Sequence, residues 1–209
     1  YVGEKMRTRV LLQHLLTLGV LLAASGALTS RYVFAPEEYS IYSEIFDGWY
    51  EKDNQDCLLV RDHTAVHREG DSFRQELSFL ASEIPGIKEE TINDFLSKNI
   101  KAYPLSEFSS QKQKYKIISQ DELDSLFESK QPRWSRFRQK YPEAKGIFTL
   151  SRVGFSPDRT QALVYVANQW DSYSGSGNYI FLVKTGQGIW KIQKIIKGWH
   201  SWNREDIEL

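Results

Sequence analysis

Four consecutive residues whose side chains can do chemistry, Arg61-Asp62-His63-Thr64, follow the apolar run at residues 57–60. Such a run is typical of a buried strand, and functional residues often lie where a strand ends in a loop. A carboxylate beside a histidine could orient the imidazole as a general base. Adjacent strand residues point to opposite faces, however, so Asp62 and His63 would not meet if the strand continued through them. A hydrolase-like site and an ordinary salt-bridged strand end both remain open, and strand geometry favours the second.

Arg152 is a second charged residue in an apolar context, because residues 147–155 alternate like a strand. A charge in such a strand is costly unless it is paired. We therefore predict that Arg152 lies close to Asp62. The pair would be either a structural salt bridge between strands or part of a ligand site with Arg61.

Two aromatic residues, Trp170 and Tyr173, lie among small polar residues before Gly175-Ser176-Gly177. Exposed aromatics in a polar setting can form an edge that binds sugars or peptides. The equal alternative is that Trp170 packs back on the sheet. We interpret the glycine segment as a flexible hairpin loop. It lacks the Gly-x-Ser-x-Gly pattern of a nucleophile elbow.

Metal and thiol chemistry receive less support. His63 and His67 have the i, i+4 spacing of helical metal ligands, but the segment between them favours strand or loop, and only Glu69 and Asp71 are at hand as further ligands. We predict no metal and no cofactor. The single cysteine, Cys57, opens the apolar run, so we expect it to be buried and unreactive.

The elements that must position these residues divide into early helices and late strands. Helical spacing and capping signals predict helices near residues 36–53, 73–84, 88–101, 119–127 and 132–141. Short strands are predicted at residues 57–60 and 115–118, and turn signals separate four later strands at 147–155, 160–169, 179–183 and 189–196. This order predicts an α+β fold in which N-terminal helices pack on a C-terminal antiparallel four-stranded meander.

The N-terminal segment has the pattern of a signal peptide. Arg7 and Arg9 follow Met6, where we expect translation to start, and an apolar run leads to Ser25-Gly26-Ala27. We predict a signal peptide at residues 1–27, a single domain at 28–209, and export to the periplasm or the exterior. The alternative is an uncleaved membrane anchor, because the run is nearly as long as the about 20 residues that span a bilayer.

Composition narrows the classes of partner. Hydrophobic residues make up 41% and charged residues 26% of the 209, which is typical of a globular protein. The formal net charge is zero, which argues against binding of nucleic acid, since that rests on neutralising phosphates. The partners left open are a protein or a glycan of the cell envelope, and a membrane through the N-terminal segment.

Several short strings resemble an uncharacterised family of bacterial, usually exported proteins with no assigned activity. They are Glu38-Tyr39-Ser40-Ile41-Tyr42, Leu59-Val60-Arg61-Asp62-His63-Thr64, Glu90-Thr91-Ile92-Asn93-Asp94-Phe95-Leu96, Leu150-Ser151-Arg152-Val153-Gly154-Phe155 and Gln161-Ala162-Leu163-Val164-Tyr165-Val166. The resemblance covers residues 36–200 and implies an exported bacterial protein. We therefore expect a non-enzymatic binding or accessory module, with a hydrolase around Asp62 and His63 as the alternative.

Overall fold

The computed structural model describes residues 34–49, 57–66, 71–106, 114–128 and 133–201. The chain divides into two compact units, Tyr1–Ala35 and Pro36–Leu209. The predicted signal peptide or anchor at residues 1–27 lies outside the described residues. In the described part of the chain, no helix has both the length and the apolar character needed to cross a bilayer.

The described part of the second unit contains five helices and seven strands. In chain order these are α1 (Pro36–Trp49), β1 (Cys57–Arg61), α2 (Asp71–Glu83), α3 (Glu89–Lys98), β2 (Lys114–Ile118), α4 (Gln120–Phe127), α5 (Arg133–Lys140), β3 (Ala144–Leu150), β4 (Gly154–Phe155), β5 (Gln161–Gln169), β6 (Gly175–Lys184) and β7 (Trp190–Ser201).

All seven strands belong to one mixed sheet, in the order β2-β1-β3-β5-β6-β7 with β4 also paired to β5. The α+β class is confirmed, and β3, β5, β6 and β7 are successive antiparallel neighbours. A four-stranded sheet is nevertheless an incomplete description, because β1 pairs in parallel with both β2 and β3. Parallel neighbours need long crossovers. Helices supply them: α2 and α3 lie between β1 and β2, and α4 and α5 lie between β2 and β3, rather than N-terminal to the sheet.

Alternation along the strands separates the helices onto two faces. Ile147 packs with helices α4 and α5, in an apolar cluster that includes Leu59 and Phe137. Its neighbour Phe148 points to the other face, where its ring meets Phe46 of α1 edge-on at 5.8 Å between centroids.

Helices α2 and α3 pack on Leu163 of β5, in a cluster with Leu80 and Phe95. Ile147 pairs with Gln169, and Leu163 lies an even number of residues from Gln169 in an unbroken register. Leu163 therefore shares the face of Ile147. This face carries one helix pair over β1 and β3 and a second pair over β5, β6 and β7.

Candidate functional site

The predicted residues at the end of β1 form a close pair. Strand β1 ends at Arg61, so Asp62 and His63 are free of strand alternation. Nδ1 of His63 lies 2.8 Å from Oδ1 of Asp62. Strand alternation would have kept the two side chains apart only if the strand had continued, and β1 ends before Asp62. The carboxylate holds one ring nitrogen of His63, whose side chain is 51% exposed.

The backbone after β1 is held by the segment that follows α3. The Leu105 amide donates to the Asp62 carbonyl at 2.7 Å, and His63 forms an antiparallel bridge with Pro104. The Thr64 amide donates to the Tyr103 carbonyl at 2.9 Å. These bonds fix the loop that carries the Asp62–His63 pair, which is what a preorganised site requires.

Arg61 reaches the start of α4. Its Nη1 donates to Oε1 of Gln120 at 2.9 Å. The helix start is capped by Ser119, whose hydroxyl accepts from the Glu122 amide at 3.2 Å. Burial lowers the pKa of the Arg61 guanidinium, and the negative charge of Asp124 and Asp62 opposes that effect. Arg61 is thus a half-buried cation with polar neighbours.

Two adjoining cavities open beside these residues. The smaller, of about 380 Å³, is lined by Arg61, Asp62 and His63 together with Thr149, Tyr165, Asn168 and Trp199. The larger, of about 540 Å³, is lined by Arg61, Trp134 and Tyr173 among others. Arg61 and Gln169 line both. We call the pair of cavities the Arg61 cleft. It includes the strip of sheet between the two helix pairs.

One wall of the cleft depends on glycines. Trp199 pairs with Gly177 across β6 and β7, and its Nε1 donates to the Tyr165 hydroxyl at 2.6 Å. A Cβ on Gly177 would come within 3.0 Å of both of these groups, so the indole and the phenol occupy the space that a side chain would need. Burial raises the pKa of Tyr165, and the bond from Trp199 acts in the opposite direction.

The glycine segment Gly175-Ser176-Gly177 is the start of β6 rather than a flexible loop. Sequence reasoning therefore missed Tyr165 and Trp199 as cleft residues. The available signal was the pair of glycines, since a glycine inside a strand marks a close approach by another group.

Arg152 does not line either cavity of the cleft. Strand β3 ends at Leu150 and β4 begins at Gly154, so Arg152 lies in an irregular segment rather than in a strand. Its Nε and Nη2 donate to the two carboxylate oxygens of Glu38 at 2.8 and 2.7 Å. Among the described residues no ion pair joins Arg152 to Asp62, so the predicted pair is wrong. The irregular segment directs the guanidinium to α1 instead.

The Arg152–Glu38 pair is buried, with side-chain exposures of 8% and 1%. Burial alone lowers the pKa of Arg152, but the hydrogen bond and charge of Glu38 more than offset it and raise that pKa. The side chain of Asn99 accepts from the Arg152 amide at 2.7 Å and donates to its carbonyl at 3.0 Å. We call Glu38, Asn99 and Arg152 the buried clamp. Its contacts are those of a structural element joining α1, α3 and the sheet.

The two predicted aromatic candidates have different settings. Tyr173 is 71% exposed and lines the larger cavity. Trp170 is half-buried, and its ring lies 6.0 Å from the ring of His200 between centroids. Of the two residues, Tyr173 is the one that the structure brings to the cleft, while Trp170 packs back beside β7.

Cys57 is half-buried, so the expectation of full burial is wrong, although it packs against the apolar cluster around Leu59. His67 and Glu69 lie outside the described residues. Across the ranges that the structure describes, no group of three or more His, Cys, Asp or Glu residues could hold a metal ion.

No protein-family model matches the chain, and neither a curated protein nor a solved structure matches it.

Proposed function

We propose that the chain is an exported bacterial binding or accessory module whose ligand occupies the Arg61 cleft. The observation that carries the proposal is the convergence of Arg61, Asp62 and His63 on one cavity that also has aromatic walls. Volumes of 380 and 540 Å³ lie in the range of small-molecule sites, about 300–1,000 Å³. A few polar groups between aromatic surfaces are the usual composition of such sites.

Binding is favoured over covalent catalysis by the surroundings of His63. A catalytic nucleophile normally lies within hydrogen-bond reach of its base. Among the described residues, the one hydrogen bond of the His63 ring is to Asp62. Cys57 is at the opposite end of β1, roughly 13 Å from Arg61 at the rise of an extended strand. A thiol nucleophile paired with His63 is therefore not supported.

The alternative is a hydrolase that activates water. The 2.8 Å contact between Asp62 and His63 favours it, because a carboxylate on Nδ1 leaves Nε2 as an acceptor for a proton. In this alternative, p-nitrophenyl acetate is hydrolysed faster than in buffer, and both His63→Gln and Asp62→Asn abolish the difference. A wild-type rate equal to the buffer rate removes the alternative for ester substrates.

Export and membership in the resembling bacterial family belong to the same proposal. The signal-peptide pattern up to Ala27 supports export. Expression of the full chain in a bacterium, followed by N-terminal sequencing of the periplasmic and secreted fractions, tests it. A mature protein beginning at or near Leu28 is expected. Recovery of the intact leader in the membrane fraction alone would count for the anchor instead.

The binding proposal is tested by thermal shift with a panel of short saccharides and short peptides. The variant Arg61→Ala removes the charged residue that lines both cavities. Its matched control is Arg159→Ala, an arginine 48% exposed that stacks on Phe155. A ligand at a hundredfold excess over its Kd stabilises by about 2.7 kcal/mol. We expect a shift in the wild type and in the control that is absent in Arg61→Ala. The proposal fails if no probe gives that pattern.

A further inference from the structure

The indole of Trp199 is exposed yet fixed in position. It is 43% exposed near the end of β7. The bond from its Nε1 to Tyr165 and the close approach to Gly177 hold the ring against the sheet. Its outer edge also approaches Gly175, where a Cβ would lie 2.9 Å from Cη2. The indole therefore lies directly over two strand glycines, Gly175 and Gly177, which have no side chains to displace it.

The hydrogen-bond donor of this indole already has a partner within the protein. Its single donor is bonded to the Tyr165 hydroxyl, so the exposed remainder of the ring offers a flat apolar surface. Tyr165 itself packs against Tyr179, with ring centroids 5.1 Å apart and ring planes tilted by 55°. The hydroxyl of Tyr179 in turn donates to the carboxylate of Glu76 in α2. A ring held this way loses little conformational entropy when a ligand covers it.

The rest of the cleft offers mostly uncharged hydrogen-bonding groups. Thr149 and Gln169 supply a hydroxyl and an amide. The positive charge of Arg61 has Asp62 and Asp124 near it, so a strongly anionic ligand meets no net excess of positive charge. Tyr173 adds a second exposed ring in the adjoining cavity. A flat apolar surface bordered by hydroxyl and amide groups suits a ligand with an apolar face and polar edges.

We propose that Trp199 is a stacking platform for a pyranose ring, and that the Arg61 cleft binds a neutral oligosaccharide. The C–H groups of a pyranose form the apolar face, and its hydroxyls form the polar edges. This inference rests on the proposed function and adds the class of ligand and the residue that selects it.

The test is isothermal titration calorimetry with three probes: cellotetraose, chitotetraose and tetra-alanine. We expect one or both tetrasaccharides to bind the wild type and tetra-alanine not to bind. Trp199→Ala should weaken saccharide binding about tenfold, the factor that ~1.4 kcal/mol of lost ring contact produces. Trp199→Phe should retain most of the affinity because it keeps an aromatic face. The matched control is Ile195→Ala, on the same strand and 42% exposed.

A glycine variant and its control test the position of the Trp199 ring without removing the ring. Gly177→Ala places a methyl group where Tyr165 and Trp199 meet, and we expect it to weaken binding as strongly as Trp199→Ala. Gly186→Ala is its control, since a Cβ there has no atom within 4 Å. If Gly177→Ala does not fold, as judged by circular dichroism, the Trp199→Ala and Trp199→Phe pair decides alone.

The outcomes separate this inference from the proposed function. Saccharide binding that Arg61→Ala abolishes and Trp199→Ala leaves intact overturns the platform and keeps the cleft. Binding of tetra-alanine alone, lost in Arg61→Ala, overturns the saccharide class and keeps a binding module. Saccharide binding that neither variant weakens overturns both proposals. If no probe binds the wild type at millimolar concentration, the saccharide class is wrong, and the wider thermal-shift panel then decides the binding proposal separately.

Discussion

Arg61 and Arg152 look alike in sequence and differ in the folded chain. Each follows a run of apolar residues that forms a strand, at Leu58–Val60 for one and before Ser151 for the other. Arg61 is half-buried, donates to the neutral Gln120 and borders two cavities. Arg152 is buried and donates through two nitrogens to Glu38. The first is available to a ligand, and the second is committed to the fold.

The difference shows that a charge at the end of an apolar run marks a special position without saying which kind. What decides is the partner. A buried carboxylate that accepts two hydrogen bonds from a guanidinium neutralises its charge and occupies its donors inside the protein. In the part of the chain that the structure describes, the Arg61 side chain donates one hydrogen bond, to the Gln120 amide oxygen, which leaves most of its five donors for another molecule.

The largest effect is expected at the buried clamp. Arg152→Ala leaves the Glu38 carboxylate buried without its cation, so the free energy of unfolding should fall by about 3–5 kcal/mol. Urea unfolding followed by circular dichroism measures the change. A loss below about 1 kcal/mol would mean that the Arg152–Glu38 pair contributes no more than an exposed ion pair, and that Arg152 and Arg61 do not differ in their structural role.

A smaller loss is expected where α3 meets the segment after Arg152. A Cβ at Gly154 would collide with the backbone nitrogen of Phe95, so Gly154→Ala should cost about 1–3 kcal/mol through overpacking. Gly186→Ala, which meets open space, is the control and should be near neutral. The comparison is made by thermal unfolding of both variants. Equal stability of the two would mean that α3 can shift away and that the clamp region is adaptable.

The next effect belongs to the Arg61 side. Ser119→Ala removes the cap of α4, which should cost about 1 kcal/mol. Gln120 is the first residue of that helix and accepts a hydrogen bond from Arg61. Fraying of the helix start should therefore also lower the affinity for any ligand that Arg61 binds. Unfolding and ligand titration on the same variant check both statements. Unchanged affinity beside lowered stability would show that Arg61 acts without Gln120.

The smallest effect on stability is expected for Arg61→Ala. Its bond to Gln120 is solvent-exposed, so the loss should stay below about 1 kcal/mol. Urea unfolding beside Arg159→Ala measures it. A cost as large as that of Arg152→Ala would mean that both arginines are structural and that the cleft needs another anchor.

Much of the fold follows from local patterns. Residues 57–60 and 115–118 were predicted as strands and belong to β1 and β2. The side chain of Ser119 accepts from the Glu122 amide, as the predicted capping box requires. Strand pairing could not be predicted in the same way, because nothing in residues 57–60 or 115–118 indicates that β1 pairs with β3 in parallel. The first helix is observed over Pro36–Trp49, and its predicted end near residue 53 lies outside the described residues.

The cleft was predictable in part. Arg61, Asp62, His63 and Tyr173 were chosen for their residue types and line it. Arg152 was chosen for the same reason and does not, because Glu38 is 114 residues away in sequence and no local pattern links them. Trp199 and Tyr165 were missed because their meeting depends on Gly177 in a third segment.

The sequence by itself therefore determined the class of fold, the existence of most elements and the loop at the end of β1, since these depend on periodicity and capping within about ten residues. Only the tertiary structure decided that Glu38 takes Arg152 and that an indole lies over Gly177. Each of these depends on which segments become neighbours. Burial makes that choice by removing apolar surface from water, and it acts on the whole chain at once.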